Sequence, residues 1–543
     1  MKVEKGARWH LSNWVHGPTV AVASAALGGE LVISLFNFYY VKVFLNVYNL
    51  EQKWLNISQI LFMIWNAIND PLFGFMQDFG CGRRCQWIRN RRKVILCCSP
   101  LWAVVFMIPW FPWSTHGDQP DSSWVVGLHL LVSLFFYDAV LSLAFSALCG
   151  LFTELSTEHK ARVRVVIYIE IAHLIGSLVV FPVDSISSSL QNFWAFQATC
   201  GAVAFLAFLA LLYTGLRAPD SVAQVEDRNR ELEMVSAKKT EDEKAAPVQW
   251  THSSDGSELT KTDESSSAAL RTKAALRSSK EILTNRDFLS IVTGNFFHIL
   301  RTIGDANFLA IFTEALISPY FPSLALGTTL LSLFYTGCNA VPKLFLAACW
   351  PLLNRFGAWT LTMLTACLTV VNCMVIFFIG RQNYFALAAF FFMEFILSRS
   401  LWPSVYNIFF ADIVDEDMKQ HQRKHPLSTL IFTLNALLTK PAISLAPMII
   451  VAILSGANYK TYNDWRSQLQ KNKANSSYVE QLATPMPATE LNSLLDSMFL
   501  VAVFYPLICC AVEAVCLLPF RLKFTHRRSA TLVEAASSPP EAL

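Results

Sequence analysis

Apolar positions along this 543-residue chain gather into runs long enough to cross a bilayer, separated by short polar turns. The first runs are about Pro18–Leu45, Trp54–Phe79, Val94–Trp113, Trp124–Leu155, Val163–Phe181 and Phe193–Leu216. A second set follows at about Phe288–Leu316, Leu324–Leu353, Ala358–Ile379, Tyr384–Phe410, Leu427–Leu454 and Leu494–Phe520. A helix needs roughly 20 apolar residues to span the hydrocarbon layer, and these runs meet that length. The first is too long for a signal-peptide core and shows no cleavage pattern, so it reads as a retained helix. Between the two sets the pattern vanishes. Residues 217–287 are rich in Ser, Thr, Lys and Glu, and Trp250 is nearly their only aromatic residue. Such a stretch cannot bury enough apolar surface to order itself. The pattern therefore predicts an all-α membrane protein of about twelve transmembrane helices in two six-helix halves. The halves are residues 1–216 and 288–521, joined by a disordered cytoplasmic linker at 217–287 and followed by a cytoplasmic tail at 522–543.

Composition agrees: 54% of residues are hydrophobic and 15% charged, and Phe alone contributes 41. The net charge of +3 is carried by clustered basic residues, with no basic–aromatic patch suited to nucleic acid. Orientation follows from those clusters. Short loops after the second, fourth and tenth runs carry Arg83, Arg84, Arg89, Arg91, Arg92 and Lys93; Lys160, Arg162 and Arg164; and Lys419, Arg423 and Lys424. The Ser114–Ser123 loop has no basic residue. Both termini are thus expected in the cytoplasm, with the plasma membrane as the default location. Asn475-Ser476-Ser477 reads as an N-glycosylation sequon on the outer side. The thirteen cysteines, Cys81 and Cys85 among them, suggest free thiols rather than a disulfide framework. The expected unit is a monomer in the lipid bilayer.

Candidate chemistry centres on the second run. Asp70 is a carboxylate at a depth where a charge is expensive, which makes it a functional-site candidate. Pro71 cannot donate a backbone N–H, so the carbonyl of Ala67 loses its helical partner. Asn66 lies one turn back on the same face. These oxygens could hold a proton or a small hard cation. Gly74 permits close helix approach, and Asp78 could meet Arg83 or Arg84 as a cytoplasmic gate. Glu30 is a lesser candidate, and Lys42 reads as a snorkelling interfacial lysine. Glu170 and His173, spaced i,i+3, could relay a proton or simply join two helices. Arg301 and Asp305, spaced i,i+4, can neutralise each other, and Glu394 with Arg399 reads as a packed pair or a rim contact. Lys343 has no acid near it in its own helix and could face Asp70, a substrate anion or the interface.

The two-half plan with Gly74, Asp78, Arg83 and Arg84 resembles the major facilitator superfamily. Asn66-Ala67-Ile68-Asn69-Asp70-Pro71 with Gly74 resembles the helix-two signature of its glycoside–pentoside–hexuronide:cation symporter branch, typified by the melibiose carrier. Ala411-Asp412-Ile413-Val414-Asp415-Glu416-Asp417 with Lys419, and Leu151-Phe152-Thr153-Glu154-Leu155-Ser156-Thr157-Glu158 with Arg162, are similar to further stretches of that branch. The resemblance implies a major facilitator-type fold and secondary transport of a small solute. It also implies a coupling site of two helix-two acids and one helix-four acid. Asp70 matches one acid, Asn66 stands in place of the other, and the helix-four position falls on Phe145. Asp138 lies two turns away on roughly the same face as a substitute, and Lys440 is a loose counterpart of the branch's helix-eleven lysine. The expectation is a transporter with no cofactor, coupled to a proton or Na⁺ through Asp70. The alternative is a transporter-shaped receptor or scaffold that no longer transports. A membrane enzyme has little behind it, since the runs hold neither a paired nucleophile and base nor a metal-spaced His cluster.

Overall fold

The structure, a computed structural model, describes residues 17–79, 87–88, 90–113, 123–155, 159–218, 277–400, 404–422, 427–463 and 487–521. Arg83, Arg84, Cys81, Cys85, Asn475, most of the linker and the tail lie outside the described residues. Helices fill every predicted run, with most limits a few residues from those expected; the tenth run, expected to end at Phe410, holds two helices and extends to Gln420. The first set comprises α1 (Gly17–Lys42, continued by a wider turn Val43–Val47), α2 (Gln52–Phe79), α3 (Arg91–Met107), α4 (Ser123–Leu155), α5 (His159–Ser177), α6 (Val180–Ser187) and α7 (Phe193–Arg217). The second comprises α8 (Arg286–Leu316), α9 (Thr329–Phe356), α10 (Ala358–Ile379), α11 (Tyr384–Arg399), α12 (Ser404–Gln420), α13 (Ser428–Thr439), α14 (Pro441–Gly456) and α15 (Ala488–Leu517).

Local chemistry sets the starts and breaks. Asn90, Asn192, Asn285 and Asn383 each cap a helix, their side-chain oxygens accepting from free N–H groups of the first turn. Thr328 caps α9 in the same way. Pro441 has no N–H for the carbonyl of Leu437, so the run Leu427–Leu454 divides into α13 and α14 with Lys440 at the junction. The fifth run divides into α5 and α6 for the same reason: Pro182 has no N–H for the carbonyl of Leu178, and Gly176 lies just before the break. By contrast, α2 continues through Pro71.

Within the first set α1 packs on α5 and α7, α2 on α4, and α3 on α4 and α7. Within the second, α8 is central and packs on α11, α14 and α15. The sets meet where α1 lies on α8, α2 on α13 and α14, and α9 on α5 and α6. Among the described residues eight helical segments are both long and apolar enough to count as membrane spans on composition alone. The helices that miss that standard are α2, α8, α9 and those of the tenth run, and they carry Asp70, Arg301, Asp305, Lys343, Glu394 and Arg399. All of these except the helices of the tenth run take part in the contacts between the sets.

Candidate functional site

Four of the residues singled out by sequence come together between α2, α4 and the α13–α14 junction. Lys440 Nζ donates to Asp70 Oδ1 at 2.6 Å and lies 3.5 Å from Asp138 Oδ1. Asn69 donates to Asp138 and, at 3.4 Å, meets Ser142 Oγ. The only groups facing the Asn66 amide on that side are carboxylate oxygens, so its nitrogen faces Asp138, 2.6 and 3.0 Å from the two oxygens. Asp70 is eighteen residues from Gln52, Asp138 fifteen from Ser123 and Lys440 sixteen from Gly456; at ~1.5 Å per residue all three sit about 25 Å from the same end of the bundle. The site is therefore deep.

The two acids are held differently. Asp138 is almost fully buried, and two amides and an ammonium group surround it. Asp70 keeps 23% of its side chain exposed, with Lys440 as its ionic partner. With both acids ionised, one lysine balances two carboxylates, and the site carries one net negative charge. Lys440 is also within 3.5 Å of Ser142 Oγ. Asn69 and Ser142 are site residues that sequence reading missed. The available signal was helical spacing, since Asn69 follows Asn66 by three and Ser142 follows Asp138 by four.

Other expected partnerships are corrected. Lys343 does not face Asp70; it donates to Glu30 Oε1 at 2.5 Å and to the His173 carbonyl at 3.0 Å. Ser34 Oγ donates to the same Glu30 oxygen at 2.7 Å. A Cβ at Gly176 would stand 2.7 Å from Glu30 Cβ, so glycine lets α5 approach α1 here. Among the described residues no hydrogen bond joins Glu170 to His173; His173 instead lines a cleft with Glu30 and Phe145. Lys42 does not snorkel. It is 2% exposed and bonded to Glu314 of α8. Arg301 pairs with Glu394 at 2.5 Å rather than with Asp305, and Arg399 donates to Asn339 at 3.1 Å rather than to Glu394. Gly74 and Asp78 lie in α2, whose last turn leads to Arg83 and Arg84 beyond the described residues.

Hydrogen bonds between the two sets continue from this depth to the end at which α1 finishes. Buried Asp184 accepts from Tyr39 at 3.0 Å, Ser189 at 3.1 Å and Ser332 at 2.8 Å. Asn307 donates to Tyr40 at 3.2 Å. Tyr459 donates to Asn46 at 2.8 Å, and Asn463 reaches the Leu45 carbonyl and Asn49 at 3.1 and 2.9 Å. With Lys42–Glu314, these bonds join α1 and α6 to α8, α9 and the segment after α14. That end of the bundle is closed. Among the described residues no group of three His, Cys, Asp or Glu is arranged to hold a metal ion.

A family model described as MFS/sugar transport protein matches residues 21–241 and 259–516. The chain belongs to this family. The resemblance to the major facilitator superfamily and its melibiose-carrier branch is thereby met, and the chain is a multi-pass membrane protein of transporter type rather than an enzyme. It is similar to transmembrane protein 180 of Gallus gallus, 24% identical over 535 residues, covering 96% of this chain and 95% of that one. The Mus musculus protein of the same name is 24% identical over 514 residues, covering 92% of each. A bacterial homolog of the human lysosomal transporter Spinster, inward-facing and occupied, superposes with a TM-score of 0.56 at 11% identity, covering 94% of this chain and 97% of that one. A D-xylose–proton symporter gives 0.52 at 14% identity, covering 93% and 98%. These likenesses speak to the MFS fold.

Proposed function

We propose that this MFS protein moves a small solute across its membrane by alternating access, coupled to a proton or small cation at Asp70. The observation that carries the proposal is the Asp70–Lys440 pair, 2.6 Å long, which ties α2 to the α13–α14 junction across the two helix sets. Protonating Asp70, or placing a cation on it, removes the attraction that holds Lys440 there. Lys440 then has a second acid within reach in Asp138, already 3.5 Å away. The tie between the sets shifts at no cost of a stranded buried charge. Asp138 is the fixed member, held by Asn66 and Asn69, and Asp70 is the member that exchanges. Gly74, Asp78, Arg83 and Arg84 supply the cytoplasmic gate, with the termini on that side and the plasma membrane as the location. The similar D-xylose–proton symporter is in keeping with a neutral solute of sugar class moved with a proton.

The test is uptake by the purified protein in liposomes, offered sugars and other small solutes with and without imposed proton and sodium gradients. Uptake that a gradient drives in the native protein and not in Asp70→Asn, with equal amounts of folded protein in both, is the expected result. Gradient-driven uptake that persists in Asp70→Asn removes Asp70 from the coupling. Silence of the native protein across the panel favours the receptor or scaffold reading instead.

A further inference from the structure

A second cluster of ionisable groups lies wholly within α8–α15 and takes no part in the Asp70 site. Arg301 of α8 directs both its Nε, at 2.7 Å, and one terminal nitrogen, at 2.5 Å, to a single oxygen of Glu394, Oε1. The same terminal nitrogen reaches Thr369 Oγ1 at 2.7 Å. Among the described residues Glu394 Oε2 has no donor, although Glu394 is only 2% exposed. One turn along α8, the Oδ2 atom of Asp305 is likewise buried and without a donor. Both carboxylates line one small cavity, walled by Phe312, Phe390, Phe391 and Phe395, with Tyr505 closing one side. The second cation nearby, Arg399, donates to Asn339 and, among the described residues, makes no hydrogen bond to either acid, so it reaches Asp305 by its charge alone.

We infer that Asp305 and Glu394 form a proton-binding site in the second helix set, separate from Asp70. Two buried carboxylate oxygens facing one apolar space repel each other, and each lacks a donor. One proton taken from water meets both needs: it removes one of the two like charges, and the carboxylic O–H brings a donor into a cavity that has none for these oxygens. With that proton bound, the Asp305–Glu394 pair keeps one negative charge, bonded to Arg301, and Arg399 adds its charge from the side of Asp305. The cavity offers only about 10 Å³, roughly the space of a single water molecule, so it excludes a hydrated metal cation and any solute. The groups that face Asp305 are Arg301 on its own helix, Glu394 and Arg399 on α11, Cys373 on α10, and Tyr505 and Cys509 on α15. From α14 comes the apolar Ile450, while Tyr40 and Lys42 of α1 meet α8 further along, at Asn307 and Glu314. One turn in the other direction, His298 and Tyr406 share Glu513 at 2.9 and 2.8 Å.

The test uses the full-length purified protein in lipid nanodiscs and infrared difference spectroscopy, which reads the C=O stretch of a protonated carboxyl without a reagent entering the cavity. The expected result is a carboxylic acid band at about pH 6 that is lost in Asp305→Asn and is unchanged when sodium replaces choline. The band should persist in Asp70→Asn, so failure of the Asp70 coupling scheme leaves the inference standing. Glu394→Gln, which retains an acceptor for Arg301, serves as the second variant if Asp305→Asn does not fold, and there the band should shift or vanish. A band that neither variant alters, no band at about pH 6, or a band that sodium abolishes overturns the proton site.

Discussion

Asp70 and Asp138 share a lysine but not a role, and their surroundings say which can be removed. Asp138 accepts from Asn69 and faces the Asn66 amide in a buried setting. Asp138→Ala leaves the Asn66 and Asn69 amides without their carboxylate acceptor, while Lys440 keeps Asp70, and is expected to destabilise by about 2–4 kcal/mol. Asp70→Asn keeps an acceptor at this position and leaves Lys440 its second acid in Asp138, so it strands no charge and should cost less than Asp138→Ala. Denaturant unfolding in detergent, compared between the two variants, checks the ordering. Asp70 and Asn66 were legible as rare polar groups within an apolar run, whereas Asp138 and Lys440 were found only through the resemblance to the symporter branch. Their partners were less so. Lys343 meets Glu30, Lys42 meets Glu314 and Arg301 meets Glu394, each across more than ninety residues. An acid at i+4, such as Asp305 beside Arg301, is only one of several within reach once neighbouring helices are packed. Spacing along one helix does not rank them.

At the scale of elements, apolar periodicity was sufficient to place the helices, since a bilayer dictates their length. Breaks were legible only where a residue forces them. Pro441 announces the junction that holds Lys440, and Pro182 the division of α5 from α6. Pro71, which suggests a break, leaves α2 continuous. The α1–α5 contact depends on a missing side chain. Gly176→Ala would press a methyl group onto Glu30, forcing α5 outward and disturbing the Glu30–Lys343 pair. The expected cost is about 1–3 kcal/mol. Thermal unfolding of Gly176→Ala, with Gly17→Ala as a control where nothing lies within 4 Å of the added carbon, measures it.

For the molecule as a whole, the division into two sets of helices was readable from the long polar interruption. The way the sets meet was not. Contacts of α1 with α8, α2 with α13 and α14, and α9 with α5 and α6 follow from packing, and no local pattern encodes them. Closure of the end where α1 finishes rests on Lys42, Asp184 and Asn46, residues that read from sequence as interfacial or unremarkable. The sharing of Lys440 between two acids has an electrical consequence. On the proposed scheme the loaded site is neutral and the empty one carries a single negative charge. The solute-bearing half of the cycle then moves no net charge at this site, while the empty return moves one. A charge crossing the full field gains about 2.3 kcal/mol per 100 mV, so an inside-negative voltage should speed uptake by hastening the reset. Liposomes clamped at opposite potentials would read this as faster multiple-turnover uptake when negative inside, with single-turnover entry of the bound solute unaltered. A protein whose empty form resets on its own battery needs no substrate to bring it home.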